Sequence, residues 1–187
     1  MGRILATKEP LPMSAYSELR GDDEPADLVE LIVRSLGSLL SGVQQPHIPI
    51  RGLHTSFFDF LTDETRSGSY YVDPSHHHWC LLQSSFRVME FGLQFNICGL
   101  ENSHLQNADV SDMETRIAGA IHPHLSYACR YWADHLLATT YDIGILNELR
   151  NFLHSHFLYW LEVLSLIGNV NIASKMLMSI LEWNQVS

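Results

Sequence analysis

Apolar positions along the chain keep two different rhythms. Beyond Pro123 they step by three and four: Leu125, Ala128, Cys129, Trp132, Ala133 and Leu136, then Leu146, Leu149, Leu153, Phe157, Trp160, Leu164 and Ile167. That spacing marks one face of an α-helix. It predicts a helix starting at Pro123, a single long helix over 142–167 stopped by Gly168, and a last helix over 172–183. Pro74 suits the first turn of a further helix reaching Gly92. Ser111 is a plausible cap for a helix over 113–121, after a polar, loop-like stretch at 96–112. The phrase Tyr131-Trp132 with Leu136 returns as Tyr159-Trp160 with Leu164, an echo that hints at stacked helix pairs.

Before Arg66 the rhythm is broken by Pro and Gly. Short helices are expected at 4–8 and 14–20. Asp22-Asp23-Glu24-Pro25 is a strong helix start, with acids at the positive end of the helix dipole. Leu28, Leu31, Ile32, Leu36, Leu39 and Leu40 then give one apolar face over 25–40. Turn signals at Ser41-Gly42 and Gln44-Gln45-Pro46 predict a two-stranded hairpin whose returning strand is 48–53. His54 ends that strand, and an aromatic-faced helix follows over 55–61. The expectation is a mainly α chain with one small β-hairpin. Residues 1–66 have the element order of a winged helix, and 67–187 form a helical module.

Composition narrows the functions open to such a chain. Among 187 residues, 11 Lys and Arg face 21 Asp and Glu, a formal net charge of −10. Nucleic acids and anionic membranes call for a basic surface, so neither is an expected partner. In the helix that would enter DNA, Arg34 is the only base beside Asp27 and Glu30. Three widely spaced cysteines, with no CxxC, make no disulfide framework. The first residues lack the apolar core of a signal peptide, and no apolar run reaches the 18 residues of a membrane span. A cytoplasmic protein is expected.

Motifs for catalysis are sparse. Of the two lysines, Lys8 and Lys175, neither follows a glycine, so there is no phosphate loop, and neither GxGxxG nor GxSxG occurs. No enzymatic activity is expected. His76, His77 and Cys80 are the metal-ligand candidates, His76 and Cys80 sharing a helix face at i, i+4. A structural zinc site needs four ligands, and no second pair lies at close spacing. Helix-start histidines beside a packed cysteine is the plainer reading. Cys129 with His135 could form a nucleophile–base pair, but a six-residue step puts them on different helix faces. His122 and His124, His154 and His156, and the aromatics of 152–160 are read as exposed or packing residues.

Seven phrases, in order, add a resemblance: ILATKEPL (4–11), LVELIVRSLGSLLS (28–41), LHTSFFDFLTD (53–63), FNICGLE (95–101), HLSYACRYWADHL (124–136), LYWLEVLSL (158–166) and SILEW (179–183). Together they resemble the region that follows the NACHT nucleotide-binding core in fungal STAND-class P-loop NTPases, which are NLR-like. The resemblance implies a winged-helix module and a helical module that couple the core to a C-terminal sensor, often of WD40 repeats. It implies a partner core in cis or in trans, no cofactor for this chain alone, and ADP or ATP with Mg only in the parent architecture. His54 resembles the winged-helix histidine that touches the ADP phosphate in the inactive state. The phosphate loop and the Mg-binding acids of the family are missing here, Thr55 replaces the acid of the related plant motif, and the chain is expected to begin inside the first winged-helix helix as a truncated fragment. A stand-alone adaptor or decoy that binds full-length relatives is the alternative; a winged-helix DNA binder and a small His/Cys metal protein are weaker ones.

Overall fold

A computed structural model of the chain describes residues 2–20, 31, 33–43, 45, 47–52, 54–101 and 106–185. The described residues are mainly helical, with one two-stranded antiparallel hairpin. Packing divides the chain into two compact units, 1–84 and 85–187. The division falls inside one continuous helix, whereas the composition shift lies at 66–69.

The first unit opens with α1 (Gly2–Ala6) and α2 (Met13–Glu18). Neither is long enough to be stable on its own, and polar ties hold them. The Arg3 guanidinium donates to the Leu19 carbonyl at 2.5 Å, and the Thr7 and Tyr16 hydroxyls meet at 3.0 Å. The hairpin pairs β1 (Leu40–Ser41) with β2 (Arg51–Gly52), Leu40 opposite Gly52 and Ser41 opposite Arg51. The Ile50 N–H donates to the Leu11 carbonyl at 2.8 Å, and Pro12 bridges Pro49, so the segment after α1 runs against the residues that lead into β2. Next come α3 (Thr55–Leu61) and α4 (Glu64–Ser67). Asp63 caps α4: its Oδ1 accepts from the N–H groups of Thr65 and Arg66 and from the Thr65 hydroxyl.

Several expectations for this unit need correction. The helix expected to run to Leu40 ends by Ser35, where 33–35 are helical and 36–39 are turn. The Leu36, Gly37 and Leu39 N–H groups bond three residues back, not four. Ser35, Gly37 and Ser38 are weak helix formers, so the last turn tightens and releases Leu40 into a strand. Val33 is buried, but Leu31 is 63% exposed, so the apolar face is narrower than its spacing suggests. The returning strand is two residues long, not six. The helix start at Asp22–Pro25, and Leu28, Ile32 and Leu53, lie outside the described residues.

A long helix, α5 (Pro74–Gly92), leads into the second unit, which contains α6 (Met113–Ala120), α7 (Pro123–Leu137), α8 (Ile143–Ser155), α9 (Phe157–Leu166) and α10 (Ala173–Gln185). Pro123 stands in the first turn of α7, and Asp142 caps α8 by accepting from the Gly144 and Ile145 N–H groups at 2.7 and 3.1 Å. The long helix expected over 142–167 is interrupted at His156, the residue between α8 and α9. Its N–H still bonds Phe152 O and its carbonyl still receives Trp160 N–H, so the hydrogen bonds and the apolar rhythm carry across the break. Ser111 is not the α6 cap. Asp112 occupies that position, and its carboxylate instead accepts from Arg116 Nε at 2.8 Å.

Gly168 does end α9. With φ of +71°, it lets the Asn169 N–H reach Leu164 O at 2.7 Å and its own N–H reach Ser165 O at 3.1 Å. This pair of bonds satisfies the last carbonyls of the helix. The core is aromatic. Trp132 and Trp160, the two indoles of the repeated phrase, are fully buried and meet edge to face at 5.9 Å, with Phe152 within 6.0 Å of both. Phe86 joins them from α5, and α10 packs along α7.

Candidate functional site

His54 caps α3. Its backbone is extended (φ −145°, ψ 135°), and Nδ1 accepts the Ser56 N–H at 3.1 Å, with Ser56 Oγ at 2.6 Å. An imidazole rarely caps a helix, since Ser, Thr, Asp and Asn lead there. With Nδ1 accepting, the neutral ring carries its proton on Nε2. The residue is exposed, so it offers one N–H donor from a ring whose tautomer is set by a local bond. His54 thus lies at the entry of α3, beyond Gly52 and separated from it by Leu53.

The metal-ligand candidates share the first turns of α5. His76 Nε2 stands 3.6 Å from Cys80 Sγ, as the i, i+4 spacing requires. His76 also lies against the exposed Trp79 ring, centroids 6.5 Å apart. His77 packs over the backbone of Gly2, where a Cβ would collide with the imidazole. The helix therefore brings His76 and Cys80 together and turns His77 to a packing role. Among the described residues, no three His, Cys, Asp or Glu side chains group as ligands for a metal ion.

Cys129 and His135 do not meet as a nucleophile and its base. Both are fully buried; His135 Nε2 lies 2.8 Å from the Tyr127 hydroxyl. Burial pushes the Cys129 thiol far above its usual range, which removes thiolate character. Burial also raises the Cys98 thiol, with a further push from the Glu162 carboxylate and a partial offset from Arg116.

The polar stretch after α5 is more ordered than its composition suggests. Glu162, on α9, places both carboxylate oxygens on successive backbone donors: Asn96 N–H at 3.2 Å and Ile97 N–H at 3.1 Å. Asn96 adopts φ of +51°, and its amide both donates to and accepts from the Leu100 backbone at 2.9 and 2.7 Å. Arg116 closes the other side, donating to Cys98 O and Gly99 O at 3.3 and 2.8 Å. Sequence spacing gave no sign of Glu162 or Arg116, whose partners are 65 and 17 residues away. Asn96 and Gly99, residue types that tolerate positive φ, were the only local signal of a tight turn.

Among the described residues, no helix is long and apolar enough to cross a membrane. No protein-family model, curated protein or solved structure matches the chain.

Proposed function

We propose that the chain is a non-enzymatic regulatory segment of a NACHT-type signalling switch in the cytoplasm, coupling a nucleotide-binding core, supplied in cis or in trans, to a C-terminal sensor. The observation that supports this reading best is His54, an exposed imidazole whose Nδ1 is engaged by Ser56. Nε2–H is then a preset donor for a phosphate oxygen on a partner. Nucleotide and Mg belong to the core in this reading, and the chain supplies a single contact.

One charge-assisted hydrogen bond contributes about 1.5–3 kcal/mol, while sub-micromolar affinity needs over about 8 kcal/mol. The isolated chain should therefore neither hold ADP tightly nor hydrolyse ATP. Calorimetry of ADP binding, run on an upstream core with and without this chain joined to it, tests the reading. The joined protein should hold ADP more tightly, and His54→Ala should cancel about tenfold of that gain. Tight ADP binding by the isolated chain, or no effect of His54→Ala in the joined protein, would remove the proposal.

A further inference from the structure

His76 and Cys80 stand one turn apart on α5, the first exposed and the second half-buried. Their side-chain polar contact is with each other, and the rings of His77 and Trp79 flank His76. A tetrahedral zinc ion, with Zn–N of about 2.0–2.1 Å and Zn–S of about 2.3 Å, sets its nitrogen and sulfur ligands about 3.5–3.6 Å apart. Nε2 of His76 and Sγ of Cys80 are already 3.6 Å apart, so an ion could take the place of the thiol proton between them. One helix turn supplies two ligands, whereas a structural zinc site needs four and a catalytic one three. Among the described residues no third His, Cys, Asp or Glu groups with the pair. The missing ligands must come from outside this chain.

We propose that His76 and Cys80 form half of a zinc site that the same two residues of a second copy complete, so that one ion joins two chains. A two-fold axis through the ion turns one His–Cys pair into two Cys and two His, a standard closed zinc set. Trp79 is 45% exposed, and its ring runs nearly parallel to that of His76, with centroids 6.5 Å apart. It gives the two copies an apolar flank beside the ion, the kind of contact that interfaces favour. Binding breaks both S–H bonds and passes two protons to solvent, with no oxidant or reductant involved. The site uses neither His54 nor a nucleotide core, so it stands apart from the reading of the chain as a switch segment.

Zinc titration of the full chain, first stripped with a chelator and kept reduced, tests the assignment by light scattering and calorimetry. The mass should double at one zinc per two chains and return to its starting value when chelator is added. Cobalt(II) in place of zinc should give the intense visible bands of a tetrahedral thiolate site. His76→Ala and Cys80→Ser should each abolish the doubling and weaken zinc binding at least about hundredfold, more than the loss of an outer-shell partner causes. Circular dichroism verifies that the variants fold; where one does not, the cobalt spectrum and the stoichiometry decide the matter on the unaltered chain. One zinc per chain with no change in mass, or no zinc uptake, would overturn the proposal. So would octahedral cobalt bands, a doubling that Cys80→Ser retains, or one that the chelator leaves intact.

Discussion

The two units of this chain are stabilised in different ways. Helices α1 to α4 of the first are 4 to 7 residues long, while α6 to α10 of the second run from 8 to 15. Short helices gain little from their own hydrogen bonds, so the first unit depends on individual ties: Arg3 to Leu19 O, Thr7 to Tyr16, Asp63 to α4. The second concentrates its stability in a few large rings, with Trp160 Nε1 donating to Cys129 O on a neighbouring helix at 2.8 Å. Truncating a single buried side chain should accordingly cost most in the second unit, whereas in the first unit the cost of removing side chains should spread over many small effects.

The sharpest way to break that contrast is Trp160→Ala. Removing a fully buried indole from a close-packed core costs about 3–5 kcal/mol; denaturant unfolding followed by near-UV circular dichroism should show the loss. A small effect would mean the aromatic cluster is not the main support. Replacement by Phe sharpens the point. Trp132 Nε1 is buried with no hydrogen-bond partner among the described residues, a group that costs about 1–3 kcal/mol to leave unsatisfied. Trp132→Phe should thus be milder than Trp160→Phe by about 1–2 kcal/mol, read from the same unfolding curves.

Glu162→Ala should come next, at about 2–3 kcal/mol, since hydrogen bonds to a charged acceptor hold the 96–100 turn from outside it. Hydrogen exchange at the Asn96 and Ile97 amides should accelerate while the α7 amides stay protected. Exchange unchanged at both sites would show that the turn is held without Glu162.

Two glycines with similar positive φ angles compare the units directly. Gly42 has φ of +83° and Gly168 of +71°. A Cβ at 42 would lie 2.5 Å from the Pro49 carbonyl oxygen, whereas at 168 nothing stands within 4 Å. Gly168→Ala should cost about 1 kcal/mol, the ordinary penalty of a left-handed residue. Gly42→Ala adds a backbone collision and should cost about 2–3 kcal/mol. Thermal melts of both variants check the order, and a reversed order would contradict the hairpin geometry.

The smallest effect expected is from pH. The Thr65 hydroxyl, followed by the Arg66 and Thr65 N–H groups, holds the Asp63 carboxyl below the usual carboxylate range. Its folded value lies under the unfolded value of about 3.9. The contribution is therefore complete at neutral pH, fades as pH drops below the unfolded value, and is lost as pH falls through the folded one. Melts between neutral and strongly acidic pH should show this loss in the protein but not in Asp63→Asn. An identical acid profile in both would assign the loss to other groups.

The helices of the second unit were legible because burial and the three/four rhythm coincide there, and because Pro74, Pro123, Asp142 and Gly168 mark ends by local chemistry alone. The break at His156 was not, since the rhythm crosses it and no Pro or Gly stands nearby. In the first unit, Leu31 and Leu39 suggested a buried face that the structure leaves largely to Val33. There, pairing with distant segments decides which leucines are covered. Of the candidate site, the His76–Cys80 approach followed from helix spacing. The capping role of His54 rests on its Nδ1 accepting the Ser56 N–H, which residue type does not announce, and the Glu162 turn on a partner 65 residues away; neither is written in local pattern.

The distribution of indoles has an optical consequence. Trp79 of the first unit is 45% exposed, whereas Trp132, Trp160 and Trp183 of the second are at most 3% exposed. Water-facing indole emits at longer wavelength than indole sealed in hydrocarbon, so the two units differ in colour under ultraviolet excitation. Aqueous iodide should dim the red edge of the emission band and spare the blue. A single fluorescence scan, read at both edges, thus records the loosening of either unit separately without any attached dye.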